Sequence, residues 1–151
     1  MDYKYFMNEA LAEAKKAFEA DEVPIGAVIV LDGAIIGRGH NLRNSKKNSL
    51  FHAEIIAINE ACNFVGDWRL EGCTMYVTVE PCPMCAGAII QSRIDEVVFG
   101  VLNPKAGCGG SILNILNEGR FNHQTKIVKD ILIDECALLM QSFFKKMRGK
   151  I

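Results

Sequence analysis

The fold of this chain is decided by one stretch in which an apolar strand meets a helix. Its residues are Val77-Thr78-Val79-Glu80-Pro81-Cys82-Pro83-Met84-Cys85-Ala86-Gly87. Pro81 holds the residue before it in the extended region, and Pro83 suits the first position of a helix, where its missing N–H costs nothing. Cys82 and Cys85 therefore fall on the first turn of that helix, where free N–H groups and the positive end of the dipole stabilise thiolates. A Cys-x-x-Cys pair in this position suits either metal binding or redox chemistry.

A second short motif, His52-Ala53-Glu54, favours the metal. Zinc held by one His and two Cys keeps its fourth tetrahedral position for water, which is typical of a catalytic site. His52, Cys82 and Cys85 supply that ligand set, and Glu54 would be the general base that moves the water's proton. Side chains at i and i+2 inside a helix do not share a face, so His52 must lie at the very start of its helix.

Other interpretations of the two motifs stay open on these residues alone. A lone His-x-Glu is usually a solvated helix face, and Cys82-Pro83-Met84-Cys85 at a helix start also suits a thioredoxin-like redox pair. A purely structural zinc site usually has four protein ligands. The combination of both motifs is much rarer than either half, and it matches the known signature of zinc-dependent nucleobase deaminases.

Length and composition indicate a single globular domain over residues 1–151, with 50% hydrophobic and 23% charged residues. The N-terminal residues have no signal-peptide-like apolar segment, and no apolar run reaches the length of a membrane span. We therefore expect a cytoplasmic protein without membrane association, whose six cysteines are thiols or ligands. The net charge of −1 argues against nonspecific coating of nucleic acid, but a local basic patch remains compatible with one structured RNA.

Hydrophobic periodicity predicts a chain in which helices alternate with apolar strands. The predicted elements are helices at 3–20, 52–64, 83–91, 111–117 (with Ser111 as N-cap) and 130–148, and strands at 25–31, 34–39, 73–79, 96–101 and 126–128. Strand–helix–strand units with apolar strands predict the α/β class: a three-layer α/β/α sandwich around one mixed five-stranded sheet.

The sequence resembles the bacterial tRNA adenosine deaminases, a branch of the zinc-dependent cytidine deaminase-like superfamily. The resemblance covers nearly the full chain and is carried by residues 22–28, 52–54, 68–70, 76–88, 92–93, 97–100, 121–123 and 134–136. The zinc motif alone would indicate only the wider superfamily. The Pro-Lys-x-Gly-x-x-Gly loop at 104–110, the Phe-Asn-His triplet and the C-terminal helix narrow the resemblance to the tRNA branch.

The resemblance implies an enzyme that hydrolytically deaminates the wobble adenosine of a tRNA anticodon loop to inosine. Carried over position by position, it implies one zinc ion per subunit on His52, Cys82 and Cys85, with Glu54 as the proton shuttle. It also implies a homodimer that places the anticodon stem-loop across two subunits.

The resemblance implies a set of substrate contacts as well. Asn41 would hydrogen-bond the flipped base or its ribose, although a loop Asn that stabilises a turn is an equally good interpretation. Ile25 and the backbone of Ala53 would line the adenine pocket, although Ile25 could equally be an ordinary core residue. The loop with Asn103 and Lys105 would follow the substrate backbone. The family usually has Asp at the position of Asn103. Asn keeps a hydrogen-bonding group and removes a charge that would repel phosphate.

Two rival functions share parts of this pattern. A free-nucleobase deaminase acting on guanine or cytosine would have the zinc motif but would not need the 104–110 loop or the basic tail at 145–150. A thiol–disulfide oxidoreductase would use Cys82 and Cys85 without Glu54. The tail itself suits either tRNA phosphates or a solvated, cationic helix end, and Cys108 has no assigned role.

Overall fold

A computed structural model describes residues 2–150, so Met1 and Ile151 of the predicted domain lie outside the described residues. The elements are α1 (Tyr3–Glu19), β1 (Gly26–Leu31), β2 (Ala34–His40), α2 (Ala53–Val65), β3 (Thr74–Val79), α3 (Pro83–Gln91), β4 (Glu96–Val101), a 3₁₀ helix (Ile115–Asn117), β5 (Lys126–Val128) and α4 (Ile133–Arg148). None of the described helices combines the length and the apolar character that a membrane span needs.

The five strands form one mixed sheet in the order β2-β1-β3-β4-β5. β1 is antiparallel to both β2 and β3, whereas β3, β4 and β5 run parallel. The hairpin between β1 and β2 turns at Asp32 and Gly33, whose φ angles are 51° and 80°, as a two-residue turn with both central residues left-handed requires. The mixed five-stranded sheet predicted from the sequence is confirmed, and β3 and β4 end at the edge where α3 begins.

Helices cover both faces of the sheet. α2 and α3 pack on one face through small side chains such as Ala57 and Ala86. α1 and α4 cover the other face, where Met7 and Cys136 join the cluster around Tyr76. Every residue of β3 is buried, as expected for a central strand with helices on both sides. The predicted three-layer sandwich is therefore confirmed.

The helix α2 lies very close to β2 because two glycines of the strand face it. A Cβ atom on Gly39 would lie 2.3 Å from the carbonyl oxygen of Ala53, and one on Gly37 would lie 2.3 Å from that of Ala57. No side chain fits these positions without moving the helix backbone. The location of the first turn of α2 is thus set by a strand more than ten residues earlier in the chain.

Two predicted helix starts are wrong. The helix expected at 111–117 is reduced to the 3₁₀ turn, and its cap is Asn114, whose side chain accepts from the Asn117 N–H. Ser111 instead donates its hydroxyl to Glu80, so it does not cap. The last helix begins at Ile133 rather than 130 because Asp130 and Leu132 have positive φ angles of 66° and 53°, which a right-handed helix does not accept.

The cationic end of α4 folds back onto the end of α1. Lys146 Nζ and Lys150 Nζ lie 2.9 and 2.6 Å from the carboxylate of Asp21. Hydrogen bonds from Lys150 and Lys146 lower the pKa of Asp21 from its ordinary 3.8 to about 2. Two cations of the predicted phosphate-binding tail are therefore occupied by an intramolecular ion pair.

Candidate metal centre and active site

His52 and Cys82 occupy equivalent positions, since each is the N-cap of a helix, α2 and α3 respectively. Both have extended backbones, with φ and ψ of −80° and 154° at His52 and −76° and 175° at Cys82. Within residues 2–150, neither side chain caps its own helix, so both are available as ligands. His52 therefore lies at the very start of its helix, which is the condition for His52 and Glu54 to serve one ion.

The three predicted ligands converge on one point. His52 Nδ1 lies 3.6 Å from Cys82 Sγ and 3.5 Å from Cys85 Sγ. Tetrahedral zinc, with bonds of about 2.05 Å to nitrogen and about 2.3 Å to sulfur, would place these atoms about 3.5 Å apart. Both observed distances match this spacing, so one shared cation would account for the convergence of all three donor atoms.

The two cysteines differ in their proton affinity, although both are free thiols rather than a disulfide. A hydrogen bond from Cys85 lowers the pKa of Cys82 from its ordinary 9.0 to about 4. The same hydrogen bond, together with burial, raises the pKa of Cys85. The metal-free pair thus shares one proton, which a bound cation would displace, since zinc takes its cysteine ligands as thiolates. Donor type, number and spacing all fit zinc.

Glu54 stands beside this cluster and is 4% exposed. Burial raises the pKa of Glu54 from its ordinary 4.5 to about 7. Its side chain is hydrogen-bonded to Cys85, which places the carboxylate next to the ligands. A carboxylate whose pKa lies near neutrality can both accept and return a proton, as a general acid–base group must.

The cluster opens into a small cavity of about 110 Å³. Its walls are formed by Val23, Ile25, Asn41, Arg43, His52, Ala53, Glu54, Glu80, Cys82 and Asn103. The structure thus brings together most of the residues expected at the site, with Cys85 fully buried behind them. Lys105 is the exception, because it lies on the adjoining groove, which shares Ile25 and Asn103 with the cavity.

Two of the expected substrate-binding residues already hydrogen-bond to the backbone of neighbouring loop residues. Asn41 Oδ1 accepts the Arg43 N–H at 3.0 Å, and its Nδ2 donates to the Val23 carbonyl at 3.3 Å. Asn103 Oδ1 accepts the Ala106 N–H at 3.2 Å. The turn-stabilising role considered for Asn41 is therefore present. Asn41 can still bind substrate from the cavity wall, since its amide oxygen has a second lone pair.

Two buried carboxylates that belong to none of the predicted site motifs hold the loops on either side of the cavity. Glu22 and Glu80 are each 1% exposed. Glu22 accepts the N–H groups of Asn44 and Ser45 at 3.1 and 2.6 Å, and Glu80 accepts four donors from the loop after β4. The available signal was the position of Glu80 at the end of an apolar strand, where a buried charge must find donors. Val23 and Arg43 also line the cavity, although neither was predicted as a site residue.

The chain is similar to known deaminases over almost its whole length. The family model of MafB19-like deaminases matches residues 1–148. A tRNA-specific adenosine deaminase from Bacillus subtilis (strain 168) is 54% identical over 145 residues, which are 96% of this chain and 90% of that protein.

Solved structures agree with this. One from a study of tRNA:A34 deaminases and A-to-I editing at the wobble position has a TM-score of 0.86 and 41% identity, over 89% of this chain and 98% of that one. A guanine deaminase from Bacillus subtilis has a TM-score of 0.64 and 38% identity, over 68% and 66% of the two chains. These comparisons favour a deaminase over an oxidoreductase and the tRNA-specific group over the guanine deaminases. The chain belongs to the MafB19-like deaminases, and also to the family of tRNA-specific adenosine deaminases.

Proposed function

We propose that this protein hydrolytically deaminates the wobble adenosine of a tRNA anticodon loop to inosine. The observation that carries the proposal is the buried Glu54 carboxylate beside the His52, Cys82 and Cys85 cluster, at the base of a cavity, in a chain of this family. The overall reaction adds water to adenosine and releases ammonia, so it needs a nucleophilic water and a group that moves protons.

We propose zinc as the resident metal, held by His52, Cys82 and Cys85. Bound zinc would supply a water of lowered pKa, which becomes a nucleophile near neutral pH. Glu54 would accept one proton of the attacking water and deliver it to N1 of the purine. It would then carry the remaining proton of the new C6 hydroxyl to the C6 amino group, which leaves as ammonia.

The cavity walls suit a nucleobase that has left the base stack. Ile25 and Ala53 provide apolar surface against the ring, and the Asn41 amide can hydrogen-bond to the base or the ribose. Extrusion of the base is cheap in a single-stranded loop. Arg43 lines the cavity and Lys105 lines the adjoining groove, and these cations would meet the phosphates that flank the base.

We further propose that the protein works as a homodimer in the cytoplasm. Apolar side chains are exposed around the 3₁₀ helix, where Leu113 is 57% and Phe121 is 49% exposed. An apolar patch of this kind is suited to a second copy of the chain. Light scattering coupled to size-exclusion chromatography tests this directly, because a mass equal to the 16.7 kDa monomer contradicts it.

One incubation tests the proposed reaction. Purified protein of measured zinc content is mixed with an anticodon stem-loop carrying a wobble adenosine and, separately, with free guanine and cytosine. We expect inosine in the stem-loop, no reaction of the free bases, and loss of inosine in Glu54→Gln with zinc retained. Glu60→Gln, an exposed glutamate on the same helix, is the matched control and should keep full activity. Reaction of the free bases alone would contradict the tRNA assignment.

A further inference from the structure

The carboxylate of Glu80 accepts four hydrogen bonds from the loop between β4 and the 3₁₀ helix. Its Oε1 accepts the Asn103 N–H at 3.0 Å and the Ser111 hydroxyl. Its Oε2 accepts the Gly109 N–H at 2.9 Å and the Ser111 N–H at 3.0 Å. All four donors belong to residues 103–111, so one side chain satisfies both ends of this loop.

The loop is also shaped around the carboxylate sterically. A Cβ atom on Gly107 would lie 2.4 Å from Glu80 Cδ, so only glycine allows the backbone to come this close. Backbone hydrogen bonds anchor the same region, since Glu80 N–H donates to Val101 O at 2.9 Å and Cys108 N–H donates to Pro81 O at 2.8 Å. A buried carboxylate with four donors is costly to disturb, because an unpaired buried charge is strongly unfavourable.

The loop that Glu80 holds carries two residues to the substrate side. Asn103 forms part of the cavity wall, and Lys105 faces the adjoining groove. Glu80 itself precedes the proposed zinc ligand Cys82 by two residues. It therefore joins the strand end that carries a ligand to the loop that would meet the RNA.

A second buried carboxylate provides a comparison. Glu13 is 3% exposed, and it pairs with Lys16, Arg38 and His40 at 2.9 to 3.3 Å. These partners belong to α1 and β2, and the cavity wall includes none of the four residues among those described. Loss of the Glu13 carboxylate should therefore disturb packing without touching the substrate loop.

We propose that Glu80 is a positioning residue for RNA binding, whose carboxylate holds the 103–111 loop so that Asn103 and Lys105 face the substrate. The inference rests on the proposed function and extends it by assigning the substrate loop its anchor. Glu80 acts through the loop and not on the reacting atoms. Its removal should therefore weaken substrate binding more than it slows the chemical step.

The test compares Glu80→Gln with wild type and with Glu13→Gln. Gln keeps the shape but turns an acceptor into a donor that faces N–H groups. We expect both KM and the Kd for the anticodon stem-loop to rise about tenfold in Glu80→Gln, as the loss of a charge-assisted hydrogen bond implies, with kcat changed less than about threefold. Zinc content should stay at the wild-type level. Glu13→Gln should leave KM and kcat unchanged, even if it lowers Tm as much as Glu80→Gln does.

Amide hydrogen exchange supplies a readout that does not depend on activity. Glu80→Gln should lose protection within 103–111 and keep it in α2. Ser111→Ala, which removes only the hydroxyl donor, should show a smaller shift in the same direction, and it carries the test if Glu80→Gln does not fold. An unchanged Kd, a fall in kcat at constant KM, or loss of protection spread over the whole chain would overturn the inference. A different result would refute only the proposed reaction: wild type binds the stem-loop but forms no inosine, and Glu80→Gln weakens that binding.

Discussion

Replacing Gly39 with alanine should damage the metal site through the backbone of a helix. The added methyl would lie 2.3 Å from Ala53 O, 2.8 Å from Ala57 N and 2.9 Å from Ile56 Cβ. An ordinary contact needs about 3.4 Å, so the first turn of α2 must move away by about 1 Å. His52 immediately precedes that turn, and its Nδ1 lies only 3.5 to 3.6 Å from the two sulfurs. A displacement of this size is a large fraction of the ligand spacing.

The expected cost of Gly39→Ala has two parts. Overpacking of a tight contact costs about 1–3 kcal/mol, which corresponds to a fall in Tm of about 3–10 °C for a chain of this size. Zinc affinity should fall about 10- to 100-fold, the usual effect of disturbing the support of a metal ligand. Thermal denaturation measures the first part, and competition with a chromophoric chelator measures the second. Gly119→Ala, whose Cβ would meet no atom within 4 Å, should change neither. Wild-type zinc affinity in Gly39→Ala would refute the argument that β2 positions His52.

Three further predictions concern ionisable groups. In metal-free protein at pH 8, Glu54→Gln should raise Tm because it removes a buried charge. The rise in pKa from 4.5 to about 7 limits the gain in the free energy of unfolding to about 3 kcal/mol. A lower Tm would contradict this. Burial alone would raise the pKa of Glu22, but hydrogen bonds from Ser45 and Asn44 outweigh it and lower that pKa below 4.5. The stability from Glu22 is therefore present above pH 4.5 and lost as the pH falls through the lower folded pKa, so Glu22→Gln should flatten the fall in Tm below pH 4.5 in an acid titration. After chelation, Cys82, with a pKa of about 4, should react with a disulfide reagent at pH 6, and this reaction should be absent in Cys82→Ser.

Local patterns in the sequence predicted the elements well because the energies that decide them are local. The apolar spacing of α1, the Asp32–Gly33 turn and the Pro83 start of α3 each involve residues within a few positions of one another. The grouping of His52 with Cys82 and Cys85 was not a local inference, because these residues are 30 and 33 positions apart. It came from matching the combined signature of the two motifs.

The contacts that hold the loops were beyond local reasoning. Ser111 has the chemistry of an N-cap, and it bonds instead to Glu80, which is 31 residues away in the chain. The Ser111 hydroxyl donates to the buried Glu80 carboxylate instead of capping a helix. No pattern within a few residues of Ser111 predicts that partner. The same holds for Glu22 and the loop at Asn44 and Ser45, which lie 22 and 23 residues away.

The two helix starts explain how so much negative charge can be gathered in a buried site. In the proposed zinc-bound site, Cys82 and Cys85 as thiolates and Glu54 as a carboxylate would bring three negative charges, against two positive charges on zinc and a neutral His52. The residual charge of about −1 faces the N-termini of α2 and α3, each of which contributes about half a positive charge. Two helix dipoles therefore approximately neutralise the set. A site with the same ligands at helix C-termini would lack this compensation, and the pKa of its carboxylate would be higher.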